Sequence, residues 1–438
     1  MTIQTTDFNT VSIFYVSFLS LFIFHVLDYH QNITTKSLSS LSSSSFNQSI
    51  QPFPTFDQYP IHSDEKYITF FTHSGFQNQL IQVENSLLLA WYLNRTLILP
   101  KAVLGESFGW NRFDKLQQHH ILRETNQCVK KTKCPKRFAL VSFDQLVDLS
   151  WARQHVRIID REQSDLGWLQ RRFGIETKDD VHSEVGTFVN GDILFFKDQS
   201  RYDWRFFDTS TKHRFMGRYN GSLEISALKK RKEKLIHFTS LFGTGKFSIK
   251  DPSAQHFFNQ LKQTITYKHP AVLKMADIII DRLGGAGNFV GAHLRTADGL
   301  FVEAIPENIN NIIQKINVSS SFNEPPSLST CVSLAKQNQT TLVFLATDAV
   351  RPRDNPIFHA LWHHAPCTFT LNDILDPKDP LWIYMDQYKT RHSGESMRKY
   401  LIPLVDAWVA GRGRSFIGSK GSTFSGYIRR LHQTFWSL

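Results

Sequence analysis

Four short polar segments of this 438-residue chain each follow an apolar run, and each carries residue types suited to holding a phosphate, a nucleoside or a sugar. The richest is Gly291-Ala292-His293-Leu294-Arg295-Thr296-Ala297-Asp298. A strand period of two turns His293 and Arg295 to the same side at the strand's end. Arginine is permanently charged and can grip phosphate with two parallel hydrogen bonds. Placed there it could stabilise a departing diphosphate, where negative charge grows in the transition state. An ordinary ion pair between Arg295 and Asp298 accounts for the same residues. The segment Leu345-Ala346-Thr347-Asp348 puts a carboxylate directly after a buried strand. It can accept from a base N–H or a ribose hydroxyl, or merely cap the next helix. In Gly418-Ser419-Lys420-Gly421-Ser422-Thr423-Phe424-Ser425, small residues and hydroxyls open a helix. That suits a phosphate, and equally a simple Ser/Thr cap. The fourth segment, His73-Ser74-Gly75-Phe76-Gln77-Asn78-Gln79, combines a glycine turn with the free N–H groups of a helix start.

The elements that must position these residues alternate between strand and helix. Tyr67 to Phe71 is a run of β-formers, Leu80, Val83, Leu87, Ala90 and Trp91 follow at helical spacing, and Thr96 to Leu99 is a second strand stopped by Pro100. Strand, glycine turn, helix and strand make the βαβ unit of a Rossmann-like sheet. Further on, a helix over Ala271 to Leu283 ends in Gly284-Gly285. Phe289 to Leu294 and Leu342 to Ala346 read as buried parallel strands. An amphipathic helix through Leu401, Leu404, Val405, Trp408 and Val409 leads to a strand at Ser415 to Ile417. The expectation is α/β, with one Rossmann-like domain over 62–268 and a second over 269–438. The stretch 101–234 is too irregular for its elements to be ordered.

A hydrophobic fraction of 41% with 20% charged residues excludes global disorder. The net charge of +11, from 50 Lys+Arg against 39 Asp+Glu, favours anionic partners or a solvated basic surface. The densest basic run, Lys229-Lys230-Arg231-Lys232-Glu233-Lys234, reads as a charged turn into the strand Leu235 to Phe238 rather than a nucleic-acid patch, and no nucleic-acid partner is expected. Val11 to Leu27 carries no formal charge and, though short, is within the range that spans a bilayer. An N-terminal signal anchor over 1–29, with its transmembrane helix at 11–27, would make this a single-pass type II membrane protein of the Golgi or ER lumen. A Ser- and Pro-rich stalk over 30–61 follows. Four cysteines are present. Proximity in an oxidising lumen pairs Cys128 with Cys134 and Cys331 with Cys367, and reduced buried thiols are the alternative.

Taken together and in this order, the G-x-x-N-Q-like turn at Gly75, the H-x-R at His293, the T-D at Thr347 and the S-T-F at Ser422 resemble the O-fucosyltransferase family. The stretch Leu93-Asn94-Arg95-Thr96-Leu97-Ile98-Leu99-Pro100 resembles the family's text after its first helix. The resemblance implies a GT-B fold with two Rossmann-like domains across a cleft, the nucleotide sugar bound by the second. It further implies inverting transfer of fucose from GDP-fucose to a protein Ser/Thr hydroxyl or a glycan, with no metal and no other cofactor. By the same resemblance Arg295 stabilises the β-phosphate and glycosidic oxygen, and His293 positions the nucleotide. Asp348 meets its guanine or ribose end, and Ser422, Thr423 and Phe424 hold the diphosphate. Asn78, with Gly75 and Phe76, sits across the cleft. Two departures stand out. Asp298, three residues after Arg295, is not a clear match to the family's acidic position in that loop, and no Glu lies between Tyr67 and Gln79, which leaves His73 as the nearest substitute base. A GT-B enzyme using another nucleotide sugar, and a catalytically silent carbohydrate-binding protein on the same scaffold, are the alternatives.

Overall fold

Tyr67–Thr69 (β1), Phe76–Leu93 (α1) and Thr96–Leu99 (β2) form the first unit as expected, with β1 and β2 parallel. β1 ends two residues before the apolar run does, yet Phe70 and Phe71 stay fully buried. The computed structural model describes residues 61, 64–126, 137–178, 185–210, 214–297, 299–316, 322 and 324–436. The expected anchor, stalk and Cys128–Cys134 pair, together with Asp298, lie outside the described residues. Among the described residues no helix is long and apolar enough to cross a membrane.

The stretch that resisted ordering from sequence supplies most of the first sheet's remaining strands. Ala102–Gly105 (β3) and Phe138–Val141 (β4) pair antiparallel beside it. Ile158–Asp160 (β5), Gly186–Asn190 (β6), Ile193–Lys197 (β7) and Leu235–Phe238 (β10) join β1 and β2 in the order β5-β2-β1-β10-β7-β6. Only the β6–β7 pairing in this sheet is antiparallel. A small parallel sheet of Trp204–Phe207 (β8), Gly221–Glu224 (β9) and Phe247–Ser248 (β11) has the order β11-β8-β9. The basic run forms a short turn between the helix Ile225–Lys229 and β10, and Arg231 pairs with Glu233 within it.

Val290–Leu294 (β12), Val343–Thr347 (β13), Thr368–Phe369 (β14) and Phe416–Gly418 (β15) form a second, all-parallel sheet in the order β14-β13-β12-β15. β12 is buried along its whole length, which explains its near-continuous apolar text. Pro252–Thr264 (α2), Pro270–Arg282 (α3), Arg398–Gly411 (α4) and Thr423–Trp436 (α5) pack around the two sheets. Each of α2 and α3 starts with proline at its first position, where the missing N–H costs nothing. The Cys331–Cys367 bond forms as expected, with its Cα atoms 5.6 Å apart, and ties the helix Leu328–Lys336 to the start of β14.

Two contacts decide how the site is framed. A Cβ at Gly291 would stand 1.9 Å from the Ala410 carbonyl oxygen, so only glycine lets α4 lie against β12 at backbone distance. The last helix, α5, packs back onto α1 and α2, where Arg430 and the buried Glu84 pair at 2.6 Å.

Candidate functional site

A cleft of about 300 Å³ opens between the ends of the two sheets. Its first wall is the start of α1 (Gly75, Phe76, Gln77 and Asn78) together with Val103 to Gly105 of β3. The left-handed residue of the turn is Ser74 (φ 64°), not the glycine, and Gly75 is extended. The value of glycine here is room: a Cβ on Gly75 would meet nothing within 4 Å. No side chain caps α1, so the positive end of its dipole faces the cleft. Gln79, fully buried, straps this wall together. Its Nε2 donates to the Ser74 carbonyl (2.8 Å) and the Val103 carbonyl (2.7 Å), and its Oε1 accepts from the Val103 N–H (2.9 Å).

The second wall comes from β12, β13, α4 and α5. His293 is buried, its Nδ1 2.7 Å from the Ser425 hydroxyl and its ring 4.7 Å from that of Phe424. Burial lowers its pKa to about 4, so it is a neutral strut between β12 and α5. Arg295 lines the cleft half-buried. Its backbone N–H donates to the Ser419 hydroxyl (3.0 Å), and its guanidinium lies 4.9 Å from the Phe301 ring centroid. Asp348 also lines the cleft, but both oxygens hold the loop that follows Arg295. They accept from the Thr296 N–H (2.6 Å), the Thr296 hydroxyl (2.9 Å) and the Ala297 N–H (3.3 Å). Thr423 and Phe424 line the cleft, whereas Ser422 is buried behind them and its hydroxyl accepts from the Ser425 N–H, a helix cap.

His73 is not among the cleft residues. It is 1% exposed, and its two ring nitrogens lie 2.8 Å and 2.7 Å from the hydroxyls of Ser74 and Ser240. Burial drives its pKa down to about 3.

The chain from residue 67 to 434 matches the family model of GDP-fucose protein O-fucosyltransferases. The chain belongs to that family. O-fucosyltransferase 30 of Arabidopsis thaliana is 37% identical over 100 residues, covering 22% of this chain and 19% of that relative. Thus the curated relative is matched over about a fifth of its length. Solved structures of POFUT1 with GDP (13% identity, 84% of this chain and 95% of that one, TM-score 0.40) and of the NodZ fucosyltransferase of Bradyrhizobium (12%, 83% and 93%, TM-score 0.36) are also similar.

In this O-fucosyltransferase-family chain, α4 supplies cleft residues that motif reading missed: Lys399, Tyr400, Pro403, Leu404 and Asp406. Asp406 is half-buried, yet its Oδ1 is shut off from solvent with no hydrogen-bond partner. Burial pushes its carboxyl up to about 7. Asn78 Oδ1, Gln77 Oε1 and the Tyr400 hydroxyl are likewise buried without a well-formed hydrogen bond, and their residues line the same cleft. Native interiors pair nearly all such groups, which marks the cleft as a candidate site for a polar ligand. Helical spacing puts Asp406 off the apolar stripe Leu401, Leu404, Val405, Trp408 and Val409, on the face it shares with Tyr400 and Pro403, so sequence periodicity gave no signal of its burial. Among the described residues no three His, Cys, Asp or Glu side chains converge as metal ligands.

Proposed function

We propose that this chain is a GT-B fucosyltransferase that moves fucose, with inversion and without a metal, from GDP-fucose to a protein Ser/Thr hydroxyl or a glycan. The observation that carries the reading is the pairing, in one cleft, of Arg295 with the unpartnered carboxylate of Asp406. A carboxylate only accepts, and the N1–H and N2–H groups of guanine present two donors side by side. Asp406 is therefore the better partner for the base, because Asp348 already spends its oxygens on Thr296 and Ala297. Arg295 meets the diphosphate, with the N-terminus of α5 beside it. As the acceptor oxygen bonds the anomeric carbon, the bond from that carbon to the β-phosphate oxygen breaks. The charge gathering on the leaving GDP is what Arg295 stabilises. The acceptor proton leaves to water, since His73 is sealed from the cleft with both nitrogens occupied.

A lumenal life, with residues 11–27 as a type II anchor in the Golgi or ER, belongs to the same proposal, and the Cys331–Cys367 bond supports an oxidising compartment. Calorimetry on the full-length protein with GDP, GDP-fucose and GDP-mannose tests the donor. Micromolar binding, about −8 kcal/mol, with GDP-fucose preferred and an Arg295→Ala variant at least tenfold weaker, is the expected result. A folded protein that binds none of the three would sink the reading in favour of a different donor or a silent scaffold.

A further inference from the structure

Tyr400 is 4% exposed and lines the cleft, and its buried hydroxyl makes no well-formed hydrogen bond, with the Lys399 ammonium nearby at 5.0 Å from the ring centroid. Its ring is wedged against the opposite wall, where a Cβ on Gly105 would come within 2.6 Å of it. The hydroxyl is thus held at one fixed place rather than swinging out to water. Neither the family's motifs nor the donor reading above gives it a task.

Its place on α4 suggests one. Tyr400, Pro403 and Asp406 follow one another at three-residue spacing, and all three line the cleft. Tyr400 therefore lies about 9 Å from Asp406 along the helix axis, a separation on the scale of a nucleoside. Pro403 has no N–H, which frees the Lys399 carbonyl from its usual helical donor at the same level of the cleft. The diphosphate finds cationic and N–H partners from β12 and α5. A tyrosine hydroxyl, which both donates and accepts, matches another hydroxyl better than it matches a phosphate.

We propose that Tyr400 is a specificity-determining residue of the donor site, its hydroxyl bonding a ribose hydroxyl of the guanine nucleotide. This rests on the GDP-sugar reading above. The ribose then lies between Asp406 at the base and Arg295 at the diphosphate, so α4 measures the nucleoside along its length.

The test is calorimetry of GDP, 2′-deoxy-GDP and 3′-deoxy-GDP on the full-length protein and on Tyr400→Phe, with thermal denaturation of both. The native protein should bind one deoxy analogue about three- to tenfold more weakly than GDP. Tyr400→Phe should lose the same factor for GDP and treat GDP and that analogue alike. Its melting temperature should fall little, because within the fold the hydroxyl has only the exposed Lys399 ammonium beside it. A Tyr400→Phe protein that keeps the native preference overturns the assignment, and so does a native protein that binds all three nucleotides equally. A folded native protein that binds no guanine nucleotide removes the donor reading itself, an outcome distinct from both.

Discussion

Replacing Asp406 with asparagine keeps the shape of the side chain and removes its charge, and the structure predicts opposite effects on stability and binding. Burial lifts the carboxyl from 3.8 to about 7. Each pH unit of such a rise is worth about 1.4 kcal/mol, so carrying the ionised group in the fold costs on the order of 4 kcal/mol as a ceiling. Partial exposure of the residue lowers the real figure. The sign follows from proton counting. Between about pH 4 and 7 the folded chain keeps a proton that the unfolded chain has released, so stability falls as pH rises through that window. The Asn variant lacks this slope. In urea denaturation it should match the native protein near pH 4 and exceed it at pH 8. Binding should move the other way. A hydrogen bond to a charged acceptor contributes about 1.5–3 kcal/mol, so GDP affinity at pH 8 should drop roughly ten- to a hundredfold. The native affinity should also rise from pH 6 to pH 8 more steeply than that of the variant, which shares any titration of the nucleotide's own phosphate. A variant that binds GDP as the native protein does, or that is less stable at pH 8, would refute the assignment of Asp406 to the base.

Gln79→Ala removes all three strap bonds between the Ser74 turn and Val103. With buried backbone groups left unpaired at about 1–3 kcal/mol each, the urea midpoint should fall and GDP binding weaken with it. Replacing Cys331 and Cys367 together by alanine opens a bond between residues 36 apart. The chain-entropy model assigns such a loop about 4 kcal/mol, readable as a lower melting temperature with GDP binding retained at low temperature.

What sequence made legible, and what it hid, has a physical pattern. β1, α1, β2, β12, β13, α4 and β15 lie where expected, because each is long or apolar enough for its own period to show. Residues 101–234 resisted because strands there such as β6 and β9 are half-exposed and carry no continuous apolar run. Register was hidden even for the legible strands: β1 pairs with β10, matching Tyr67 to Leu235, and no local pattern carries that register. The same distance misled over His73. Beside a motif it looks available, yet Ser74 takes one ring nitrogen and Ser240, 167 residues away, takes the other. Asp406 was hidden for the converse reason. A carboxylate on a helix reads as solvent-facing until the contact between Gly291 and Ala410 fixes which side of α4 meets the sheet.

The return of α5 onto α1 has a consequence for synthesis. Thr423 and Phe424 belong to the cleft, and Arg430 meets Glu84 on a helix made some 350 residues earlier. Until α5 has been made, one wall of the cleft has no closing helix, and of its cationic neighbours Glu84 has Lys262 but not Arg430. Contacts so far apart in sequence form late, after loop closure has been overcome. A chain stopped before Thr423 therefore keeps the strands of both sheets but lacks part of one wall of the cleft, and is expected to bind nucleotide far more weakly.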